Sequence, residues 1–368
     1  MNGGRVKKSN YMTQLDTLRT FAVASVAWHH WAPHSLHFGL PWYVGVNLFF
    51  VLSGFLITGI LLDCRWPSLD ENHHRLHSMR QFYIRRFLRI FPLYYMVLLV
   101  LFLFDIKPVR ETITWHLFYC TNFYFVHHGG WHGQISHFWS LSVEEQFYIF
   151  WPLLVLFSPR RKLVPLIAGL ILLSPAYRIF IALFLPSVKV PEVLVFANFD
   201  SLGMGALLAV LRHPKIHFRP TPWLKAHRRL ITVLSFCSYA CLYVVYRTVW
   251  SPVWIEALEY TFLAVFFACV IHAVSKGLRG IGGKILGFRP FLYLGKISYG
   301  LYIFHNLAVY AVAGTLAILH VPPQWAASLP VRLILLSFWT VSASALSWHL
   351  LESPVNNLKR KFPYVRKG

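Results

Sequence analysis

The sequence predicts an all-α protein: a polytopic integral membrane bundle of about ten transmembrane helices, with both termini in the cytoplasm. Three observations carry this. Of 368 residues, 57% are apolar and 13% charged, with a mean hydropathy of +0.52, whereas soluble domains hold roughly 45–50% apolar and about 25% charged residues. Ten apolar stretches approach the ~17–25 residues needed to cross a bilayer. The basic residues are unevenly distributed about those stretches. The composition excludes a water-soluble globule, and it excludes disorder, which requires low hydrophobicity.

The stretches lie near 15–36, 43–62, 90–106, 138–157, 163–185, 197–211, 230–248, 254–275, 291–317 and 329–351. With the N-terminus inside, the inner segments hold 27 of the 35 Lys and Arg residues. The outer segments hold 4 (Lys107, Arg110, Lys189 and, near a span end, Arg247) and the spans 4 (Arg19, Arg178, Lys296, Arg332). That is the positive-inside asymmetry, so the net charge of +22 is topological and implies no nucleic acid. An even number of spans returns the C-terminus to the cytoplasm. Arg5, Lys7 and Lys8 ahead of the first stretch resemble a signal peptide. That stretch carries Arg19, His29 and His30, however, and no small-x-small cleavage site follows, so it reads as an uncleaved helix. Five cysteines without a C-x-x-C pair suggest neither a disulfide framework nor a metal. With no fixed repeat and no low-complexity tract, residues 1–368 read as a single transmembrane domain with no separate soluble domain.

An ionisable residue inside a membrane helix is costly and marks a candidate site. Arg19 and His30 are eleven residues apart, about 16 Å along a helix and within about 20° of the same face. The pair suits a ligand held by its anionic end at the cytoplasmic mouth; a snorkelling Arg plus an interfacial His is the simpler alternative. Arg85, Arg86 and Arg89 fall within five residues at the inner surface. They suit bidentate phosphate binding, or lipid headgroup anchoring. Pro92 fits a helix start or a kink. Glu144 and Glu145 sit about two turns inside the fourth stretch. Glu144 lies as deep as His30, where a carboxylate would fix the imidazole tautomer and raise its basicity; a structural ion pair is the alternative. Asp200 could pair with Arg178 or line a cavity, and His305 and Asn306 could hydrogen-bond between helices. Ser53-Gly54-Phe55 and Gly203-Met-Gly205 read as close helix contacts. The outer aromatics and histidines (Trp115, Tyr119, Tyr124, His127, His128, Trp131, His132) could stack on sugar rings, or form an interfacial belt.

Several of these patterns together resemble the acyltransferase-3 family of membrane acyltransferases. Leu15-Asp16-Thr17-Leu18-Arg19 running to His30 is similar to its opening helix, whose hallmark is a basic residue, ten positions and a histidine. The likeness continues in order through Asn47 to Ile57, Phe82 to Pro92, Trp139 to Tyr148, Phe199 to Ala209, Gly295 to His305, and Glu352-Ser-Pro354. The resemblance implies a ten-span helical fold in the bacterial cytoplasmic (inner) membrane. It also implies transfer of an acyl group, usually acetyl, from cytoplasmic acyl-CoA to a hydroxyl of a carbohydrate or glycolipid. By the same likeness His30 is the catalytic base, while Arg19, Arg86 and Arg89 hold the coenzyme. Thr17 replaces the family's usual glycine, and no esterase-like domain is expected after the last span, so a further transfer step would need a separate protein.

The expected mechanism places the donor phosphates on Arg85, Arg86 and Arg89. The pantetheine arm passes Arg19, and the thioester meets His30, which is oriented by Glu144. Glu145, Asp200, His305, Trp139 and Tyr148 are expected to contact substrate, with no metal involved. A covalent acyl-His30 variant remains open. The rival reading is a proton-coupled transporter of a lipid-linked glycan with a relay through His30, Glu144 and Asp200. A non-catalytic scaffold would gain nothing from such costly residues.

Overall fold

The computed structural model describes residues 12–65, 71–131, 133, 135–216, 222–248, 253–322 and 328–364. No strand occurs among them, and sixteen α-helices follow in order. These are α1 (Gln14–Trp31), α2 (Gly45–Cys64), α3 (Glu71–Leu103), α4 (Ile113–Leu117), α5 (Thr121–His128), α6 (Phe138–Phe157), α7 (Arg160–Phe184), α8 (Phe199–Arg212) and α9 (Pro222–Ala226). They continue with α10 (Arg228–Thr248), α11 (Val253–Val274), α12 (Gly280–Leu286), α13 (Arg289–Lys296), α14 (Ser298–Ile318), α15 (Leu329–Ser347) and α16 (Ser353–Asn357). A π turn, Trp348–Glu352, joins the last two.

Among the described residues, eight helices are long and apolar enough to cross a membrane, against ten expected stretches. The two that fall short are α1 and α6, both diluted by ionisable and polar residues: Asp16, Arg19, His29 and His30 on one, Glu144 and Glu145 on the other. Two boundaries also differ from expectation. The third helix begins at Glu71 and runs 33 residues straight through Pro92, about 50 Å at 1.5 Å per residue. Its arginine-bearing half therefore belongs to the same rod as the apolar half. The ninth stretch is broken at Ile297 into α13 and α14, which turns Lys296 toward the centre.

Small residues set the closest helix contacts. A Cβ added at Gly54 would stand 1.9 Å from the carbonyl oxygen of Leu202, and one at Gly205 would stand 2.0 Å from that of Val51. The glycines of α2 and α8 thus accept each other's backbone, as their sequence positions suggest, and dispersion contacts substitute for the hydrophobic drive that lipid does not supply. Gly295 meets the carbonyl of Asp16 in the same manner, seating α13 on α1. Thr17 donates its hydroxyl to Leu286 O at 2.7 Å and is fully buried. Trp151 of α6 donates Nε1–H to Thr58 Oγ1 of α2 at 2.8 Å. Around the resulting α1–α2–α3–α6–α14 ring lies the interior.

Candidate active site

A cavity of about 640 Å³ runs along α2, touching it from Asp63 to Val46. Seventeen residues of helix rise about 25 Å, most of the ~30 Å hydrocarbon thickness of a bilayer. At the Asp63 end it is walled by Arg19, Arg86, Arg89, Lys296, Glu352 and Asn356. At the Val46 end lie Ser140, Leu141 and Tyr302. Each cation is placed by a distinct local feature: α1 brings Arg19, the continuous α3 brings Arg86 and Arg89 one turn apart, and the break at Ile297 exposes Lys296.

The charges are individually braced. Asp16 accepts from Arg19 Nη1 at 2.6 Å, and the Arg86 guanidinium lies 4.7 Å above the Tyr148 ring. Lys296 Nζ lies 5.0 Å from the Trp348 ring centroid. Ser347 donates to Glu352 Oε1 at 2.8 Å across the π turn, a helix irregularity often found at functional sites. Cationic groups converging on one mouth in a partly dehydrated space can hold the phosphates of a coenzyme. Halfway along, Ser53 Oγ donates to Glu144 Oε1 at 2.5 Å and accepts from the Tyr148 hydroxyl at 2.9 Å. Glu145 and Tyr148 line this cavity and, with Arg86, a second one of about 420 Å³ between α3 and α6.

The far end is closed by a hydrogen bond of 2.5 Å between Ser140 Oγ and the Tyr302 hydroxyl. Beyond it stands a histidine cluster. His305 is fully buried; its Nδ1 is 2.6 Å from Tyr302 O and its Nε2 2.9 Å from His30 Nδ1. His137 packs 4.6 Å from the His305 ring and bonds Asn306 at 3.2 Å. His30 itself is exposed and lies outside the cavity lining, so Arg19 stands at the charged end and His30 beyond the closed end rather than the two sharing one wall.

At five positions the geometry differs from the arrangement the sequence suggests. Glu144 does not orient His30: its carboxylate is held by Ser53, and the imidazole's partner is His305. Arg85 does not face the cavity. Its Nη1 donates to Lys359 O at 2.8 Å and Phe362 O at 3.0 Å, and its guanidinium lies 4.8 Å from the Tyr364 ring. The helical turn between Arg85 and Arg86 sends them to different sides. Asp200 has no exposed surface and is bonded to Arg178 Nη2 at 2.5 Å and Thr261 Oγ1 at 2.9 Å. His305 also has no exposed surface and lines neither cavity. Trp139 packs edge-on against Phe50 at 6.0 Å and lines neither cavity. His132 lies outside the described residues. Arg19, Arg86, Arg89, Glu144, Glu145 and Tyr148 do converge, and Asn306 does bond across helices to His137. Residues that line the cavity without having been assigned to a site from the sequence are Ser53, Ser140, Lys296, Tyr302 and Glu352; a lysine within one apolar stretch and a glutamate bordering another were the available signals for two of them.

Comparison with known proteins gives the arrangement a context. The chain is 28% identical over 94% of its length to the peptidoglycan O-acetyltransferase OatA of Listeria monocytogenes, and 28% over 95% to the putative peptidoglycan O-acetyltransferase YrhL of Bacillus subtilis. A putative O-acetyltransferase of Staphylococcus aureus is likewise 28% identical over 95%. These alignments cover 56%, 56% and 58% of the relatives, so the chain spans little more than half the length of the curated proteins it matches. No solved structure matches. The acyltransferase domain family matches residues 12–349, nearly everything that surrounds the cavity and the histidine cluster, and the chain belongs to that acyltransferase-3 family.

Proposed function

We propose that this protein is a membrane O-acetyltransferase that moves an acetyl or other short acyl group from acyl-CoA to a hydroxyl of a carbohydrate or glycolipid. The observation that carries this is the long cavity with Arg19, Arg86, Arg89 and Lys296 at one end and, one hydrogen-bonded residue beyond the other, His30. Acetyl transfer comes from the names of the relatives, two of which specify peptidoglycan.

The donor enters from the cytoplasm, the side to which the 27 inner Lys and Arg residues assign both termini. Its phosphates rest on the arginines, and its pantetheine arm follows α2 past Ser53 toward Ser140 and Tyr302. The acceptor approaches exposed His30 from the opposite side. Displacing the Ser140–Tyr302 pair joins the two compartments. The acceptor O–H bond then breaks, its proton passes to His30, and its oxygen bonds to the thioester carbonyl carbon. The C–S bond breaks and the leaving thiolate takes the proton. General-base assistance of this kind contributes roughly 10²–10⁴-fold, and alignment of hydroxyl and thioester much of the rest.

The transporter reading is the weaker one. Its relay required Asp200, which is locked to Arg178 away from the cavity.

The test uses membranes bearing wild type or His30→Ala, acetyl-labelled acetyl-CoA, and a crude glycan and glycolipid fraction from the native host. His30-dependent label in a glycan is expected. Full transfer by His30→Ala ends the proposal, and donor binding undetectable in both proteins turns it toward transport.

A further inference from the structure

The tautomer of His30 is legible from its neighbours, and we propose that His305 is a positioning residue that leaves Nε2 of His30 as the proton acceptor. The inference rests on the transferase reading above and deepens it. A backbone carbonyl only accepts, so His305 Nδ1, 2.6 Å from Tyr302 O, carries the hydrogen. His305 has no exposed surface, and its hydrogen-bond partners are a carbonyl and an imidazole rather than a carboxylate. A buried, uncompensated imidazolium would be costly, so the ring is neutral and its Nε2 is a lone pair. That lone pair faces His30 Nδ1 at 2.9 Å. His30 therefore donates from Nδ1, and its free lone pair sits on Nε2.

The next ring obeys the same logic. His137 Nε2 is 3.2 Å from Ile303 O and so carries a hydrogen, while its Nδ1 accepts from Asn306 Nδ2 at 3.2 Å. Two consecutive carbonyls of α14 thus dictate two tautomers, and His137 packs edge-on against His305, holding its plane. When His30 Nε2 takes the acceptor's proton, the Nδ1–H of the resulting imidazolium already points at a neutral acceptor. No group has to turn. Tyr302 connects the parts: its hydroxyl closes the donor cavity, and its carbonyl sets His305.

The experiment compares His305→Leu, His305→Gln and His305→Asn with wild type and His30→Ala, using labelled acetyl-CoA and the same glycan fraction, with kcat and the KM for acetyl-CoA measured separately. His305→Leu removes the acceptor; Gln places an oxygen near the Nε2 position; Asn is too short to reach His30. The expected result is a kcat at least about tenfold lower for Leu and Asn, within the roughly 10²–10⁴-fold that base assistance is worth. KM should stay within about twofold, and Gln should recover most of the loss. Wild-type kcat in His305→Leu overturns the proposal, as does equal impairment of Gln and Asn, which a purely structural histidine would give. The Gln–Asn comparison decides even where the Leu variant fails to fold. An active His30→Ala removes the transferase reading itself. An inactive His30→Ala beside a fully active His305→Asn removes only the positioning role.

Discussion

Arg178 and Asp200 offer a direct test of how this bundle uses its buried charge. Arg178 gives Nη2 to Asp200 Oδ2 at 2.5 Å and to Ala197 O at 2.6 Å, and Nη1 to Ala257 O at 2.5 Å. Asp200 in turn accepts from Thr261 Oγ1 at 2.9 Å and from the Ser201 amide at 2.8 Å. The pair ties α7, α8 and α11 together with 9% and 0% of the two side chains exposed. Replacing Arg178 by Leu leaves a buried carboxylate without its cation and takes the guanidinium bond from two carbonyls. Removing one partner of a buried pair costs about 3–5 kcal/mol, which at ~2–4 °C per kcal/mol corresponds to a fall in Tm of roughly 6–20 °C. Asp200→Asn keeps an acceptor and the shape, so its loss should be smaller. The assay is thermal unfolding of purified protein in detergent, with acetyl transfer per folded molecule measured alongside. Both variants should keep the wild-type KM. An Asp200→Asn protein of unchanged Tm but altered acceptor dependence would refute the structural assignment and return Asp200 to the substrate site.

Other perturbations read other parts. Gly54→Ala forces α2 and α8 apart against a 1.9 Å approach and should cost at least the ~1–3 kcal/mol of overpacking. Gly169→Ala, with nothing within 4 Å of an added Cβ, should leave Tm unchanged, and equal behaviour of the two would contradict the packing. Losing a charge-assisted hydrogen bond of ~1.5–3 kcal/mol through Arg86→Gln should raise the Kd for acetyl-CoA by about 10–150-fold. Arg85→Gln, bound to the C-terminal backbone, should leave that Kd alone, and calorimetric titration distinguishes them. Burial lowers the pKa of His116, in the short α4, from 6.5 to about 4, with Thr112 and Thr121 hydroxyls at 3.1 and 2.8 Å. The unfolded chain binds the extra proton first, so this contribution is complete above about pH 6.5 and is lost as pH falls toward 4, to a limit near 3 kcal/mol. Denaturation midpoints of wild type and His116→Gln across that range should converge as the pH drops; parallel curves would exclude His116 as the cause.

Much of the site was legible because membrane insertion makes polar residues conspicuous: Arg19, Arg86, Arg89, Glu144 and Glu145 stand out against apolar helices and do line one cavity. Helical periodicity also indicates that Gly54 and Gly205 mark contacts. Depth and spacing say less about partners. The sequence puts Glu144 and His30 at similar depths, yet α1 ends at Trp31, one residue past His30, while Glu144 lies within the first two turns of α6. The carboxylate goes to Ser53 and the imidazole to His305.

By itself the sequence determined the solvent this protein folds in, the helices it forms there and the polar residues it keeps. Those follow from composition and from the rule that backbone groups in lipid must satisfy one another within helices. Only the tertiary structure decided which polar groups are spent on holding helices together and which remain open to a ligand. That choice depends on helix rotation and on where α13 breaks from α14, both set by close packing between segments far apart in the chain. Asp200 and Glu144 are both carboxylates within apolar stretches; the fold closes Arg178 over one and opens a cavity before the other.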